Sequence, residues 1–569
     1  PLPEAKTFFY QISWNLITIL LTLCPIRMEI GKKLQTSHLW DHLFEDSQLK
    51  KDLEELVLPD YIITCRWFAG KSSTIKHVRV DHAHRLADKK QAYYILMLEV
   101  QFKEAFSHQY LLPLAFIPDE EEAQYTEVPV ISRLRADNRE GFLIDALFTA
   151  DFRNLLFDLM VKNKEMPLNQ GVLQFESSTS FKPPTGKKVF SEILKTEQSN
   201  TAVIYNNRYF FKWFRRLFPE SNPDLELSRF LNLNHFPYTA QYMGSISWLR
   251  MDKPRISLGL MQQKLDNEGD AWKWMLQEVN AFFSGFDQNH QLQLTWEPKE
   301  TLFDPVKPKN LSPQTRSQLG KKLMKGVVRL GKRTAQMHLA LARDNGQTSF
   351  TPVAFNPDYS VWLKNKVTYL FDLRIGLLEK NIGKLRGLAR EYGQVFLDRR
   401  NEVLEEILSF DETTLCSMRT RVHGDYHLGQ VLVHEDEFYI LDFEGEPEST
   451  IRDRKVKQSP LKDVAGMLRS FHYAIYATLF DEEKNWTLPQ HDLFDLAERF
   501  YQLLCGLYLH GFIRTAVRGG LDIGYRPEIH YLLRYHLLEK AVYELGYELN
   551  SRPAWAIIPL RGVMRIMGF

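Results

Sequence analysis

The spacing of hydrophobic positions changes along the chain. From Thr36 to Val57 they recur at helical intervals (Leu39, Leu43, Leu49, Leu53, Leu56), and Pro59 is expected to end that helix. Tyr93–Phe102 and Tyr110–Ile117 instead carry alternating or continuous apolar runs, followed by a polar break at Asp119–Glu122. These predict antiparallel strands of a small α+β unit. After a Pro/Gly/Lys-rich break at 182–188, the segments Val189–Lys195, Thr201–Tyr205 and Arg208–Phe214 predict three more strands. Asn206 and Asn207, which tolerate positive φ, join the last two as a hairpin. A short helix, Asp224–Leu233, starts behind Pro223, and a strand at Ile256–Leu265 runs into the polar, hinge-like Asp266–Gly269. Beyond Asp270 the period is helical. Leu319, Leu323, Val327, Leu330, Met337 and Leu341 form one stripe with a basic opposite face, and further helical runs follow at Trp362–Leu378, Asp463–Tyr476, Asp492–Leu507 and Tyr531–Asn550.

At 569 residues the chain has room for two to four domains, and 44% hydrophobic with 25% charged residues is the balance of a globular protein. Lys+Arg 72 against Asp+Glu 71 leaves no global field to draw nucleic acid or an anionic membrane. Cys24, Cys65, Cys416 and Cys505 are far apart with no CxxC, which argues against a disulfide scaffold and a structural zinc and suits a reducing, cytoplasmic setting. Cys505, in an apolar run, reads as a small core residue. Phe8–Ile26 approaches the length of a spanning helix, but Gln11, Ser13, Asn15, Thr18 and Thr22 interrupt it, so no membrane span is expected. The chain opens on Pro1, and Met28 is a candidate start. The expected organisation is an apolar segment (1–27), an amino-terminal cap (28–180), a strand-rich subdomain (181–266) and a helical lobe (267–569). Gly70–Lys71–Ser72 imitates the end of a Walker A loop, but the glycine that loop needs is replaced by Cys65, and Trp67 and Phe68 are expected to pack.

The most specific chemistry lies in His423-Gly424-Asp425-Tyr426-His427-Leu428-Gly429-Gln430, followed by Phe438-Tyr439-Ile440-Leu441-Asp442-Phe443-Glu444. Phosphoryl transfer needs an aspartate to position the nucleophile and accept its proton, an oxygen ligand a short loop away, and an aspartate at a strand end for Mg²⁺. Asp425, Gln430 and Asp442 have that arrangement. The run resembles the HGDxHxxN…D signature of aminoglycoside- and choline-kinase-type phosphotransferases, with Gln430 where Asn is usual. A kinase fold also needs a strand lysine for the α/β-phosphates and a helix glutamate to orient it, and Lys212 and Glu226 are the candidates. Gln198, Ser199, Asn200 and Thr201 stand where a glycine-rich loop is usual and could donate hydrogen bonds to phosphate. Asp463 is expected to brace the catalytic loop, with His423 and His427 supporting it, and His338 to pack. A protein kinase is not expected, because no DFG…APE pattern follows Asp442.

Over wider stretches the chain resembles the bacterial maltokinases. The matching segments are Arg66–Lys71, Phe211–Leu217, His423–Gln430, Asp442–Pro447 and Ser459–Phe471. That resemblance implies an α+β, bilobal, protein-kinase-like fold with an amino-terminal cap and a largely helical carboxy-terminal lobe. It also implies ATP and Mg²⁺ as cofactors, with adenine against Gln262–Leu265, and transfer to the anomeric hydroxyl of maltose, giving maltose 1-phosphate for α-glucan synthesis. Association or fusion with trehalose synthase is a further implication. The sugar is expected on the carboxy-terminal helix, where Tyr543 stacks over Tyr547 and Glu544 over Glu548 at helical spacing, with Trp555 following and Glu444 within reach of metal or sugar. The alternatives are a kinase for another sugar or amino sugar such as glucosamine, and a catalytically weak binding module on the same fold.

Overall fold

The computed structural model describes residues 33–569 apart from 72, 88–90, 104–105, 125–127, 184–188, 195–198, 290–293, 297–300 and 482. Phe8–Ile26 and Gln198 therefore lie outside the described residues. Among those described, no helix is long and apolar enough to cross a membrane. The chain divides into two compact units, residues 1–221 with 242–264, and residues 222–241 with 265–569. The change from strands to helices falls close to residue 266. Residues 222–241, however, cluster with the helical unit, because Leu227, Phe230 and Leu231 share its hydrophobic core.

Among the described residues, the first unit contains two seven-stranded sheets. In one, Ala92–Phe102 pairs antiparallel with His108–Pro118, Tyr94 lying opposite Leu114. Nearly every residue of Ala92–Phe102 is buried. The reason is its two-residue period: Tyr94, Leu96 and Leu98 enter one core with Leu49, Leu53 and Ile62, while Tyr93, Ile95 and Met97 enter another with Phe152, Leu156 and Trp213. Pro59 does not end the amino-terminal helix. It stands in the first turn of a restarted helix, Leu58–Thr64, where its missing N–H costs nothing.

The second sheet is antiparallel and includes β1 (Thr201–Tyr205), β2 (Tyr209–Trp213) and β3 (Ile256–Gln263). Asn206 and Asn207 turn the β1–β2 hairpin at φ 51° and 54°. Strands Glu165–Leu168, Gly171–Ser177 and Tyr242–Leu249 extend this sheet beyond the sequence expectation. The fully buried Arg215 joins Asp145 at 2.5 Å. Trp67 lies 5.0 Å below its guanidinium and packs with Phe68 on Tyr110, so the Walker-like segment is packing.

The second unit is built from α1 (Pro223–Leu233), α2 (Ala271–Asp287), α3 (Lys321–Leu341), α4 (Pro357–Asn381), α5 (Leu461–Leu479), α6 (Gln490–Gly519) and α7 (Arg526–Ser551), with shorter helices between. On α3 the apolar stripe Leu323, Val327, Leu330, Met337 and Leu341 is buried, and Lys321, Lys322, Lys325 and Lys332 are exposed. Cys505 is buried in α6. A hairpin of β4 (Val431–His434) and β5 (Glu437–Ile440) carries the chemistry-bearing loops at its base. The hairpin is held by Ile440 N donating to Tyr238 O at 2.8 Å and Val433 N to Gly269 O at 2.9 Å.

Candidate active site

The loop before β4 is fixed from behind by α5. Asp463, 1% exposed in the first turn of that helix, accepts from His423 N at 2.8 Å through one carboxylate oxygen and from Gly424 N at 2.9 Å through the other. Gly424 needs its lack of a side chain: its φ is +89°, and a Cβ would stand 3.2 Å from the Gly445 Cα of the neighbouring loop. His423 joins the two loops by donating from Nε2 to the Leu441 carbonyl at 2.9 Å. His338 is buried with Nε2 3.1 Å from Asp463, so it adds a polar contact to the packing expected of it. Burial, only partly opposed by Asp463, lowers its pKa to about 4 and leaves the ring neutral.

Asp425 projects from this braced loop beside α7. Lys540 Nζ lies 2.9 Å from its Oδ1, and His427 Nε2 is 4.0 Å from its Oδ2. Burial alone would raise the Asp425 carboxyl; the Lys540 ammonium and then His427 outweigh it, and the group is held below its ordinary value. Lys540 is raised in turn, since Asp425 and Glu446 overcome the cost of its burial. His427 accepts at Nδ1 from Gly429 N at 3.1 Å, which places the proton of its neutral ring on Nε2, toward Asp425. Burial lowers its pKa.

Beyond β5 the second loop gathers carboxylates. Asp442, in the left-handed region at φ 63°, receives Gln430 Nε2 on Oδ2 at 3.0 Å. Ligand oxygens of Asp224, Asp442 and Glu444 lie within 4.8 Å of one another, and Asp224 also accepts from Phe443 N at 3.1 Å. A hard oxygen set of this kind fits Mg²⁺. Gln430 joins that set through its oxygen only if its amide is turned about from the orientation in which Nε2 faces Asp442.

Glu226, two residues after Asp224 on α1, gives its carboxylate to Arg421 at 3.2 Å and Lys455 at 2.9 Å. Lys212 is buried on β2, opposite Ala202 and Leu260. Thr201 Oγ1 accepts from the Arg215 guanidinium Nε at 2.8 Å and Asn200 Oδ1 from the Arg215 backbone N at 3.4 Å, so both side-chain oxygens serve Arg215; Ser199 adjoins Asn200.

The expected sugar residues on α7 have separate surroundings. Lys540 Nζ stands 4.7 Å over the Tyr543 ring, which ties Tyr543 to the Asp425 neighbourhood. Glu544 accepts two hydrogen bonds from Arg469, at 2.9 and 2.7 Å. Glu548 is buried and paired with Arg552 at 2.8 Å, and burial, against that cation, raises its carboxyl. Tyr547 is 55% exposed, and Trp555 packs under Arg552 at 4.2 Å. A network the sequence reasoning missed lies behind Asp425. Glu446 is 3.1 Å from Lys366 of α4, and Glu539 is 2.8 Å from Lys462 of α5 and 2.9 Å from His536 Nδ1. Burial opposes ionisation of Glu446, but Lys366 and Lys462 outweigh it and its pKa falls.

Residues 61–148 match the maltokinase N-terminal cap domain. A curated glucosamine kinase from Streptacidiphilus jiangxiensis is 23% identical over 390 residues, 68% of this chain and 74% of that protein. One from Mycolicibacterium smegmatis is 22% identical over 367 residues, 64% of this chain and 77% of that protein. Among solved structures, a glucosamine kinase in complex with glucosamine, ADP and inorganic phosphate superposes with a TM-score of 0.58 at 18% identity, over 93% of this chain and 100% of that one. The chain has the kinase-like α+β fold of that enzyme, with an N-terminal cap and a largely helical C-terminal part. A second crystal form of glucosamine kinase agrees, at a TM-score of 0.57 and 17% identity.

Proposed function

We propose that the chain is an ATP-dependent sugar phosphotransferase that transfers the γ-phosphoryl group of ATP to the anomeric hydroxyl of maltose, giving maltose 1-phosphate. The observation that carries the reading is the pair of loops joined by His423: an ionised Asp425 on a loop braced by Asp463, beside a cluster of hard oxygens at Asp442. Asp425 orients the sugar hydroxyl and accepts its proton as the oxygen attacks in line. A carboxylate held below its ordinary value stays ionised at neutral pH, and Lys540 steadies its direction. Asp442 and Gln430, with Asp224 and Glu444 beside them, would hold Mg²⁺, which supplies charge neutralisation on the phosphates when bound. Lys212 is assigned to the α/β-phosphates and Ser199 to the phosphate loop. Asn200 and Thr201 would contribute backbone N–H groups there, since their side-chain oxygens serve Arg215. Glu226, expected to orient Lys212, is held by Arg421 and Lys455.

Two observations support maltose. The cap match is to the maltokinase type, and on the expected sugar face Glu544 is paired with Arg469 and Glu548 with Arg552, while Glu446 and Glu448, outside that face, are paired with Lys366 and Arg374. A face balanced in this way suits a neutral sugar better than an ammonium-bearing one. Glucosamine is the second reading, favoured by the names of both curated relatives. ADP release measured with maltose, glucose, glucosamine and trehalose separates the two. Maltose is expected to give the highest kcat/KM, and glucosamine turnover above maltose turnover would reverse the assignment.

A further inference from the structure

The basic face of α3 carries a site that the kinase chemistry does not use. Two adjoining cavities flank its Lys325–Arg329 ridge. One, of about 330 Å³, is lined by Trp274, Lys321, Lys322, Gly326, Val433 and Phe438, with Asp436 at its edge. The other, of about 380 Å³, lies over Pro308, Met324 and Val328 and reaches Lys332 and Arg333. Each is large enough for a small ligand. Gly326 shapes the first cavity: a Cβ there would come within 2.6 Å of the Trp274 indole, so only glycine lets the ring lie against the helix.

The charge is unbalanced. Lys322 has Glu278 at 3.0 Å, Arg333 has Glu437 at 2.5 Å, and Arg329 donates to the Asp436 carbonyl. Among the described residues, Lys321, Lys325 and Lys332 make no ion pair, although all three are exposed at these cavities. Among the described residues, the carboxylates set against the cations of the first cavity are Asp436 in its lining, Glu278 paired with Lys322, and Glu437, which acts on Arg329; four cations against these three acids leave a surplus of positive charge over an apolar, aromatic floor. Lysine ammoniums suit phosphate oxygens, and an indole beside them suits the flat apolar face of a sugar ring.

We propose that this groove is a second ligand site, distinct from Asp425 and Asp442, that binds a phosphorylated sugar through Lys321, Lys325 and Trp274. Val433 and Phe438, which line it, belong to the β4–β5 hairpin, whose base carries Gln430 and Asp442. A ligand held there therefore stiffens the hairpin on which the oxygen cluster rests. The inference rests on the cavity and does not depend on the identity of the kinase substrate.

The test uses glucose 1-phosphate as probe, with glucose and inorganic phosphate as the separate halves, on the full chain saturated with a non-hydrolysable ATP analogue and Mg²⁺ to keep the catalytic site engaged. Calorimetry is expected to show glucose 1-phosphate binding that weakens at least tenfold in Lys321→Glu/Lys325→Glu, with glucose silent and phosphate weaker than the ester. Hydrogen exchange in 431–440 should slow on binding in the parent and not in the variant. The two lysines are exposed, so the variant is expected to melt like the parent; Gly326→Ala, which displaces Trp274, tests the floor independently and should lose the preference for the ester over phosphate. Equal binding by parent and double variant, or no binding to the parent, would overturn the proposal. Equal affinity for phosphate and the ester would overturn its sugar component.

Discussion

Replacing Asp463 by asparagine exchanges one oxygen for an NH₂ group and tests whether the catalytic loop depends on its brace. Each carboxylate oxygen accepts one backbone amide, from His423 at 2.8 Å and from Gly424 at 2.9 Å, in a site that is 1% exposed. Asparagine keeps one acceptor and turns an NH₂ toward the other amide, leaving two donors face to face. Losing a charge-assisted hydrogen bond costs about 1.5–3 kcal/mol, and a buried N–H left without an acceptor about 1–3 more, so about 3–5 kcal/mol is expected together. Spread over the cooperative unit of about 325 residues, this corresponds to a fall in Tm of about 4–7 °C. If about 3 kcal/mol of it is recovered when the loop moves, Asp425 is misplaced and kcat falls about 100-fold. The KM values for ATP and sugar should stay within about threefold, because no substrate contact is removed. Steady-state kinetics with each substrate varied, alongside thermal melts, separates the outcomes. A folded Asp463→Asn protein with parental kcat and Tm would refute the bracing argument.

Lys540→Met removes the main cation that holds the Asp425 carboxyl down; burial is then opposed chiefly by His427 and the carboxyl rises, so the acid limb of kcat/KM should move to higher pH, and a pH profile with an unmoved limb would show that Lys540 does not set the base. The same pair stabilises the parent above the unfolded-state pKa of aspartate and is lost as pH falls through the lower folded value, so the gap in Tm between parent and variant should close in acid. Gly424→Ala forces a side chain into φ +89° against Gly445 and should cost about 1–3 kcal/mol and most of the activity, read by melting and kcat. Asp442→Asn should lower turnover at least about 100-fold and raise the Mg²⁺ needed for half-activity, and an unchanged Mg²⁺ titration would remove Asp442 from the metal set. Glu548→Gln loses charge from its pairing with Arg552 and should raise the maltose KM about tenfold while leaving the ATP KM alone; an unchanged maltose KM would make that end of α7 scaffold.

Local patterns made the strands and helices legible where one period dominates. The β1–β2 hairpin declared itself through Asn206–Asn207 and the two short apolar runs they join. Tyr242–Leu249 did not, because Gly244, Ser245 and Ser247 dilute a strand that is buried on both faces. The loop His423–Gln430 could be read because its chemistry lies within eight consecutive residues. Its surroundings come from distant segments: Lys540 from α7, Lys366 from α4, Asp224 from α1. Asp224, which was not among the expected metal ligands, shows the limit most clearly beside Glu226. Residues two apart on a helix point about 200° apart, so which of them meets Asp442 depends on the rotation of α1, and that is set by the burial of Leu227, Phe230 and Leu231. Lys540 lies on the same helix as Tyr543 and Glu544, but nothing in the sequence places it 2.9 Å from Asp425.

The most direct test of the proposed reaction is the position of the transferred phosphate. Incubation of the purified chain with ATP, Mg²⁺ and maltose, followed by ³¹P–¹H correlation NMR of the product, should show a phosphate ester coupled to the anomeric proton of the reducing glucose unit, with ADP formed in equal amount. ADP accompanied only by inorganic phosphate, or a phosphate ester on a non-anomeric carbon, would contradict it.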